Sequence, residues 1–129
     1  MRPGSTGWQA EAATTLRKRL GEPEPSWAAF VVDQPGQPRL AACAVGIIDE
    51  RLGWGGNPAG LVGFVFNVVT DPAHRRHGYS RLCMEALLDW FRERGVPVVD
   101  LRTSPEGEGL YRQLGFARAS DPAMRLNLS

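Results

Sequence analysis

The stretch Arg75-Arg76-His77-Gly78-Tyr79-Ser80-Arg81 gathers three guanidinium groups, a glycine and a small hydroxyl residue into one short run. Such a set can hold an anion if the amides around Gly78 converge on it, since glycine has no Cβ to keep a ligand at a distance. Converging amides require a helix that starts here. Tyr79, Leu82, Cys83, Ala86, Leu87 and Trp90 recur at helical spacing, with Arg81, Glu85, Asp89 and Arg92 on the other side. First-turn N–H groups of a helix lack intrahelical partners, and the macrodipole adds partial positive charge there. A phosphate-bearing ligand suits that junction; a solvated basic turn is the alternative for the cluster taken alone. His74 and His77 stand three apart, but three arginines lie beside them and no Cys or acidic ligand is in register, so no metal site is expected.

The elements that position this loop follow from pattern. Leu61 to Val69, bounded by glycines and rich in Val and Phe, reads as a buried strand leading into it. Gly95 ends the helix, and Val96 to Arg102 reads as a further strand, with Pro97 near its start or on an edge. Two strands joined through such a helix form a right-handed crossover and lie parallel. Ser104 can cap a following helix, with Pro105 at its first position, Leu110, Tyr111 and Leu114 inward, and Gly115 as its stop. Upstream, Trp8, Ala12, Leu16 and Leu20 give a narrow helical stripe that Gly21 ends. Trp27 to Asp33 and Arg39 to Ile48 read as a hairpin around Gln34-Pro35-Gly36-Gln37-Pro38. Asp49 to Gly60 carries too many glycines and prolines for regular structure, and its Trp54 is a candidate substrate-facing aromatic or a cap on the core edge. Met124 to Leu128 reads as a last short strand.

Bulk properties narrow the function classes. A chain of 129 residues is read as one domain. Fifteen basic against fourteen acidic residues leave a formal charge of +1, so no bulk field draws the protein to nucleic acid or to an anionic membrane. No segment has the apolar length of a membrane span, and no signal-peptide pattern follows Met1. Cys43 and Cys83 read as free thiols, and a cytoplasmic location is expected.

Neither a P-loop nor a G-x-G-x-x-G pattern is present. Arg75 to Ser80 instead resembles the R/Q-x-x-G-x-G/A pyrophosphate loop of the GNAT superfamily of N-acetyltransferases. Asn67-Val68-Val69-Thr70-Asp71-Pro72 resembles that family's central strand end, and Leu110-Tyr111-Arg112-Gln113-Leu114-Gly115-Phe116 its L-Y-x-x-L-G-F signature. The motifs fall in the family's order across Leu61 to Ala117. The resemblance implies an α/β fold, a mixed α+β sandwich whose twisted mixed sheet of about six strands splays at the central parallel pair, with helices on both faces. It also implies acetyl-CoA in the gap and a primary amine of a small molecule or peptide as acceptor, attacked directly in a ternary complex.

By the same resemblance, Val68, Val69 and Thr70 pair with the pantetheine arm. The amides around Arg75, Arg76, His77, Gly78, Tyr79, Ser80 and Arg81 hold the pyrophosphate. Asn67 stands where amine and thioester meet, and Tyr111 is the general acid for the leaving thiolate. The family's frequent glutamate base on the central strand is missing; Glu50, Asp49, Asp33 and a water chain remain candidates. Ser80 replaces the family's Gly or Ala, and the part before Trp27 is shorter than usual, which suggests a sheet edge completed by a second subunit in a homodimer. A catalytically degenerate acyl-CoA-binding protein is the alternative function.

Overall fold

The structure is a computed structural model that describes residues 14, 17, 18, 20–34, 40–71 and 78–129. Its elements are β1 (Trp27–Asp33), β2 (Leu40–Glu50), β3 (Leu61–Thr70), α1 (Tyr79–Glu93), β4 (Val99–Leu101) and α2 (Glu108–Gln113). The sheet runs β1-β2-β3-β4, with β2 antiparallel to both β1 and β3 and β4 parallel to β3. The expected hairpin and parallel crossover are both present. Of the expected upstream helix, Thr14, Arg17, Lys18 and Leu20 are helical and the Gly21 amide donates to the Arg17 carbonyl at 3.1 Å. Trp8, Ala12 and Leu16 lie outside the described residues, as does the turn at 35–39.

Two glycines decide how closely α1 sits on the sheet. A Cβ built on Gly46 would stand 2.9 Å from Phe91 Cζ and 2.9 Å from Leu87 Cδ1; one on Gly63 would stand 2.7 Å from Phe91 Cε1. Neighbouring strands therefore omit their side chains where the Phe91 ring enters, the close approach that strand glycines permit. Around it, Ala28, Ala42, Ala44, Val65, Cys83, Met84, Leu87 and Leu88 form one buried cluster. Fully burying a Leu or Phe stabilises by about 1.5–3 kcal/mol, so this seam fixes α1 on β2 and β3. On the opposite sheet face Ala41, Val45 and Val62 are also buried, and Trp27 meets Phe66 edge-on at 5.7 Å.

Expectations at α1 and at Met124 to Leu128 are corrected. The inward stripe of α1 is Cys83, Met84, Leu87, Leu88 and Phe91, and Leu82 is 57% exposed. Both stripes are apolar, and the pocket between Gly46 and Gly63 selects the one ending in Phe91. As expected, the 51–60 loop holds no helix or strand; turns shape it, with Trp54 and Asn57 exchanging backbone hydrogen bonds across Gly55 and Gly56 and the Arg51 amide donating to the Gly60 carbonyl at 2.8 Å. Buried Asn57 donates from Nδ2 to the Leu61 carbonyl at 2.8 Å, tying the loop to β3. Met124 to Leu128 forms no strand; its Met124, Leu126 and Leu128 are exposed. The described strands form the expected open mixed sheet, antiparallel from β1 to β3 and parallel at β4.

Helix ends follow the glycines. At Gly95, with φ of 72°, the Val96 amide donates to the Phe91 carbonyl and the Gly95 amide to that of Arg92, each at 3.0 Å. Gly115, with φ of 101°, closes α2 likewise, through Phe116 to Tyr111 at 2.9 Å and Gly115 to Arg112 at 3.1 Å. Both are Schellman closures, which need a residue that tolerates positive φ. Val96 thus belongs to a helix closure, so β4 begins three residues later than its apolar run suggests. Ser104 caps only a turn, accepting from the Gly107 amide, and α2 starts at Glu108.

Candidate active site

β3 and β4 pair through only three residues each, Gly63 to Val65 against Val99 to Leu101. β4 ends at Leu101, opposite Val65, so among the described residues no strand covers the β4-side edge of β3 from Phe66 to Thr70. On the other side, Cys43 lies opposite Val69 and Val45 opposite Phe66, so Asn67 and Val68 together face Ala44. This is a bulge with its extra residue on β3, and bulges re-aim backbone groups beside functional sites. An extended ligand arm can use such an open edge as a strand would.

At the far end of that edge, the Thr70 and Ser80 hydroxyls share a short hydrogen bond. It ties the last residue of β3 to the first turn of α1 across the basic loop. Gly78 precedes α1 in the left-handed region, φ 74° and ψ 15°, and a Cβ there would meet nothing within 4 Å among the described residues. Its carbonyl accepts the helix-opening bond from the Leu82 amide at 3.1 Å, and no side chain among the described residues caps the first turn. The cradle is therefore open space against first-turn N–H groups, which fits a pyrophosphate. Arg75, Arg76 and His77 lie outside the described residues.

Arg81 joins the two motifs. Its Nε donates to Glu85 at 2.8 Å and its Nη1 donates to Gln113 Oε1 at 2.9 Å, so the start of α1 is held to the end of α2. This guanidinium serves as a strut between the two helices. Tyr111 lies on α2 two residues before Gln113, half-buried, with its ring edge-on to Phe116 at 6.0 Å. Burial pushes its phenol above the usual 10.0. The neutral, proton-bearing form is thus favoured.

The remaining candidates divide between this edge and the far end of the sheet. Val69 is 55% exposed, while Val68 packs against the core cluster. Glu50 pairs with Leu61 at the opposite end of β3 from Thr70. Six strand residues separate Leu61 from Asn67, roughly 20 Å at about 3.3 Å per residue. Glu50 therefore does not reach the bulge. Trp54 lies beyond it in the same end loop, half-exposed, and Asp49 there accepts from Arg51 at 3.1 Å. Asp71 follows Thr70 directly and accepts from Gln34 Nε2 at 3.4 Å; it was not singled out from sequence, although it ends the central-strand motif. Thr70 and Gln113 were missed as tethering groups because each partner comes from a distant segment. Burial pushes both Cys43 and Cys83 thiols up, so neither is a ready thiolate nucleophile.

The acetyltransferase (GNAT) family model matches residues 1–116. A curated relative, glucosamine 6-phosphate N-acetyltransferase of Trypanosoma brucei brucei, is 32% identical over 90 residues, covering 70% of this chain and 58% of the relative. The chain thus spans less than two thirds of that protein's length. A GCN5-related N-acetyltransferase of Ralstonia eutropha JMP134 superposes with a TM-score of 0.76 at 22% identity, over 94% of this chain and 77% of its own. A predicted acetyltransferase of Clostridium acetobutylicum, solved with acetyl-CoA, gives 0.72 at 19% identity over 99% of this chain and 79% of its own. With the open bulged edge of β3 and the cradle at Gly78, the family match leads to one conclusion: this chain belongs to the GNAT acetyltransferase family.

Proposed function

We propose that the protein transfers the acetyl group of acetyl-CoA to a primary amine of a small molecule or peptide, by direct attack in a ternary complex. The observation that carries this reading is the continuity of the uncovered β3 edge from the Asn67–Val68 bulge to the Gly78 cradle, closed by the Thr70–Ser80 bond. The Clostridium structure, solved with acetyl-CoA, supports the choice of ligand. The Trypanosoma relative's name supports a small amine acceptor. Free thiols support a reducing, cytoplasmic setting.

Acetyl-CoA supplies the activated acetyl thioester. The chain's part is to hold, orient and move protons. Amides of the first turn of α1 would hold the pyrophosphate, and the β3 edge would align the pantetheine arm. A backbone N–H at the bulge would stabilise negative charge on the acetyl oxygen. An acceptor amine of pKa about 10.4 must lose a proton at neutral pH, at a cost on the order of 4 kcal/mol. With Glu50 out of reach, Asp33, which pairs with Leu40 toward the Thr70 end of the sheet, or a water chain would take that proton. The Tyr111 phenol retains its own until the sulfur leaves, and positioning makes the donation possible because phenol is the weaker acid, about 10 against 8.5.

The distance of Glu50 from the bulge, and the absence of any acid within Leu61–Thr70, favour one second reading: an acyl-CoA-binding protein without catalysis. CoA release measured against a panel of small amines and lysine peptides separates the two. Amine-dependent release supports transfer; micromolar acetyl-CoA binding with no release for any amine supports the binder; absence of binding removes both.

A further inference from the structure

Tyr111 stands on a helix with little of its own to hold it. α2 has six residues, Glu108–Gln113, and none is buried. A helix this short is unstable in isolation, so its placement must come from contacts with the rest of the domain. Tyr111 and Leu114 rest half-buried on the core cluster, which sets the height of α2 but resists a roll about its axis only weakly. The Tyr111 ring lies over Gly107, where an added Cβ would stand 3.1 Å from its Cε2, and that glycine moves with the helix. Beside the ring runs a groove of about 450 Å³ along β4, lined also by Val99, Leu101 and Phe116, so there is room for it to shift. The Glu108 carboxylate takes two nitrogens of Arg118 at 2.6 and 3.1 Å, but both groups belong to one short segment and this clamp travels with α2. Among the described residues, the side-chain hydrogen bond that ties α2 to another element is Arg81 to Gln113. Gln113 follows Tyr111 by two positions, about 200° around the helix, so the strut grips the side away from the ring.

We infer that Gln113 is a positioning residue: through Arg81 it sets the roll of α2, and with it the Tyr111 hydroxyl, and it makes that setting answer to a pyrophosphate in the cradle. Arg81 is suited to the task at both ends. Its Nε is held by Glu85 at 2.8 Å, which aims Nη1 at Gln113. Its backbone lies in the first turn of α1, whose amides are those proposed to hold the pyrophosphate. An anion that orders this turn fixes the base of the strut. With side-chain ends about 6 Å from the helix axis, a roll of about 10° shifts the hydroxyl by roughly 1 Å. A misplacement of about 1 Å can cost up to about 10²-fold in rate. The nucleotide end of the cofactor, remote from the thioester, then contributes to turnover as well as to binding. The effect on turnover rests on the acetyl-transfer reading; the coupling of cradle to helix does not.

The two tyrosines of the chain, Tyr79 at the start of α1 and Tyr111 on α2, report the two ends separately. The test is fluorine NMR of the full chain labelled with fluorotyrosine, assigned through Tyr111→Phe and titrated with adenosine diphosphate, which carries a pyrophosphate without the pantetheine arm. Both resonances should shift together in the wild type and in Gln113→Glu, whose carboxylate still accepts from Arg81. In Gln113→Ala, and in Gln113→Asn with its amide a methylene short, Tyr79 should shift and Tyr111 should not; alanine is the best helix former, so α2 itself is kept. With acetyl-CoA, Gln113→Ala should lose roughly tenfold in kcat with KM for acetyl-CoA within about twofold, and Gln113→Glu should recover the loss. A Tyr111 resonance that ignores the nucleotide in the wild type while Tyr79 responds, or that follows it equally in Gln113→Ala, overturns the inference and leaves the cofactor assignment standing. A loss of kcat that Gln113→Glu does not restore overturns it too. No response at Tyr79 overturns the pyrophosphate assignment and this inference with it. Absence of turnover in every variant counts against acetyl transfer alone, and the fluorine signals still decide the coupling.

Discussion

Replacing Gly63 by alanine introduces one methyl group at the tightest point between α1 and the sheet. The added carbon would lie 2.7, 2.9 and 3.0 Å from three atoms of the Phe91 ring, where carbon atoms favour about 3.5–4.0 Å. The ring is 1% exposed and set between two strands, so it cannot swing into solvent. Two effects compete. Alanine loses less backbone entropy than glycine in a strand, a gain of roughly 0.5–1 kcal/mol. Overpacking a filled core costs about 1–3 kcal/mol. Overpacking wins, with a net loss on the order of 1–2 kcal/mol, or roughly 3–10 °C in Tm for a chain of this size. Dichroism-monitored melting measures it. Adding Phe91→Leu should recover part of the loss, because the two sites share one space and their effects are not additive. Acetyl-CoA affinity should fall as well, since lifting α1 displaces the cradle at its start. An unchanged or raised Tm in Gly63→Ala, or strict additivity in the double variant, would refute the packing argument.

Other substitutions separate the roles assigned to individual residues. Ser80→Phe should weaken acetyl-CoA binding about tenfold or more on calorimetric titration, by losing the Thr70 hydroxyl bond and crowding the amides. Tyr111→Phe should reduce kcat by roughly 10²- to 10³-fold with little change in acetyl-CoA affinity, as removal of a general acid does. Because burial raises the Tyr111 phenol above 10.0, the acid stays protonated through neutral and mildly alkaline pH. The kcat profile should therefore show no Tyr111-dependent fall until pH exceeds the ordinary tyrosine value; an alkaline limb near 8 that disappears in Tyr111→Phe would contradict the assignment. Gly109→Ala should stabilise by about 0.5–1 kcal/mol in chemical denaturation, since Gly109 sits exposed within α2 and a Cβ there meets nothing within 4 Å.

Local signals made much of this architecture readable. Trp27 to Asp33 and Leu61 to Val69 carry strand patterns with breakers at their ends, and the structure draws strands there within a residue. Gly95 and Gly115 announced helix ends because positive φ is a property of the residue itself. The family likeness was legible because two separated motifs kept their order, and the Arg81–Gln113 bond now shows the physical link between them. What the sequence hid was decided between distant segments. Leu82 and Met84 are both apolar, and only Gly46 and Gly63 on other strands determine which of them turns inward. The Trp54–Asn57 turn was obscured by its glycines, and Asn57 looked like an ordinary loop residue until its amide was found bonded to Leu61. Glu50 was a reasonable base by charge alone; the β2–β3 register places it at the other end of the strand. Alternation at Met124 to Leu128 is a strand pattern that finds no pairing partner among the described residues.

A crystal structure of the full chain grown with acetyl-CoA tests the central claim most directly. The account predicts the pyrophosphate on the first-turn amides of α1 beside Gly78 and Ser80, the pantetheine arm along Phe66 to Thr70, and the Tyr111 hydroxyl within about 3.5 Å of the sulfur. A Tyr111 hydroxyl turned away from the sulfur, or acetyl-CoA seated in the groove along β4 instead of the gap between β3 and β4, would contradict it.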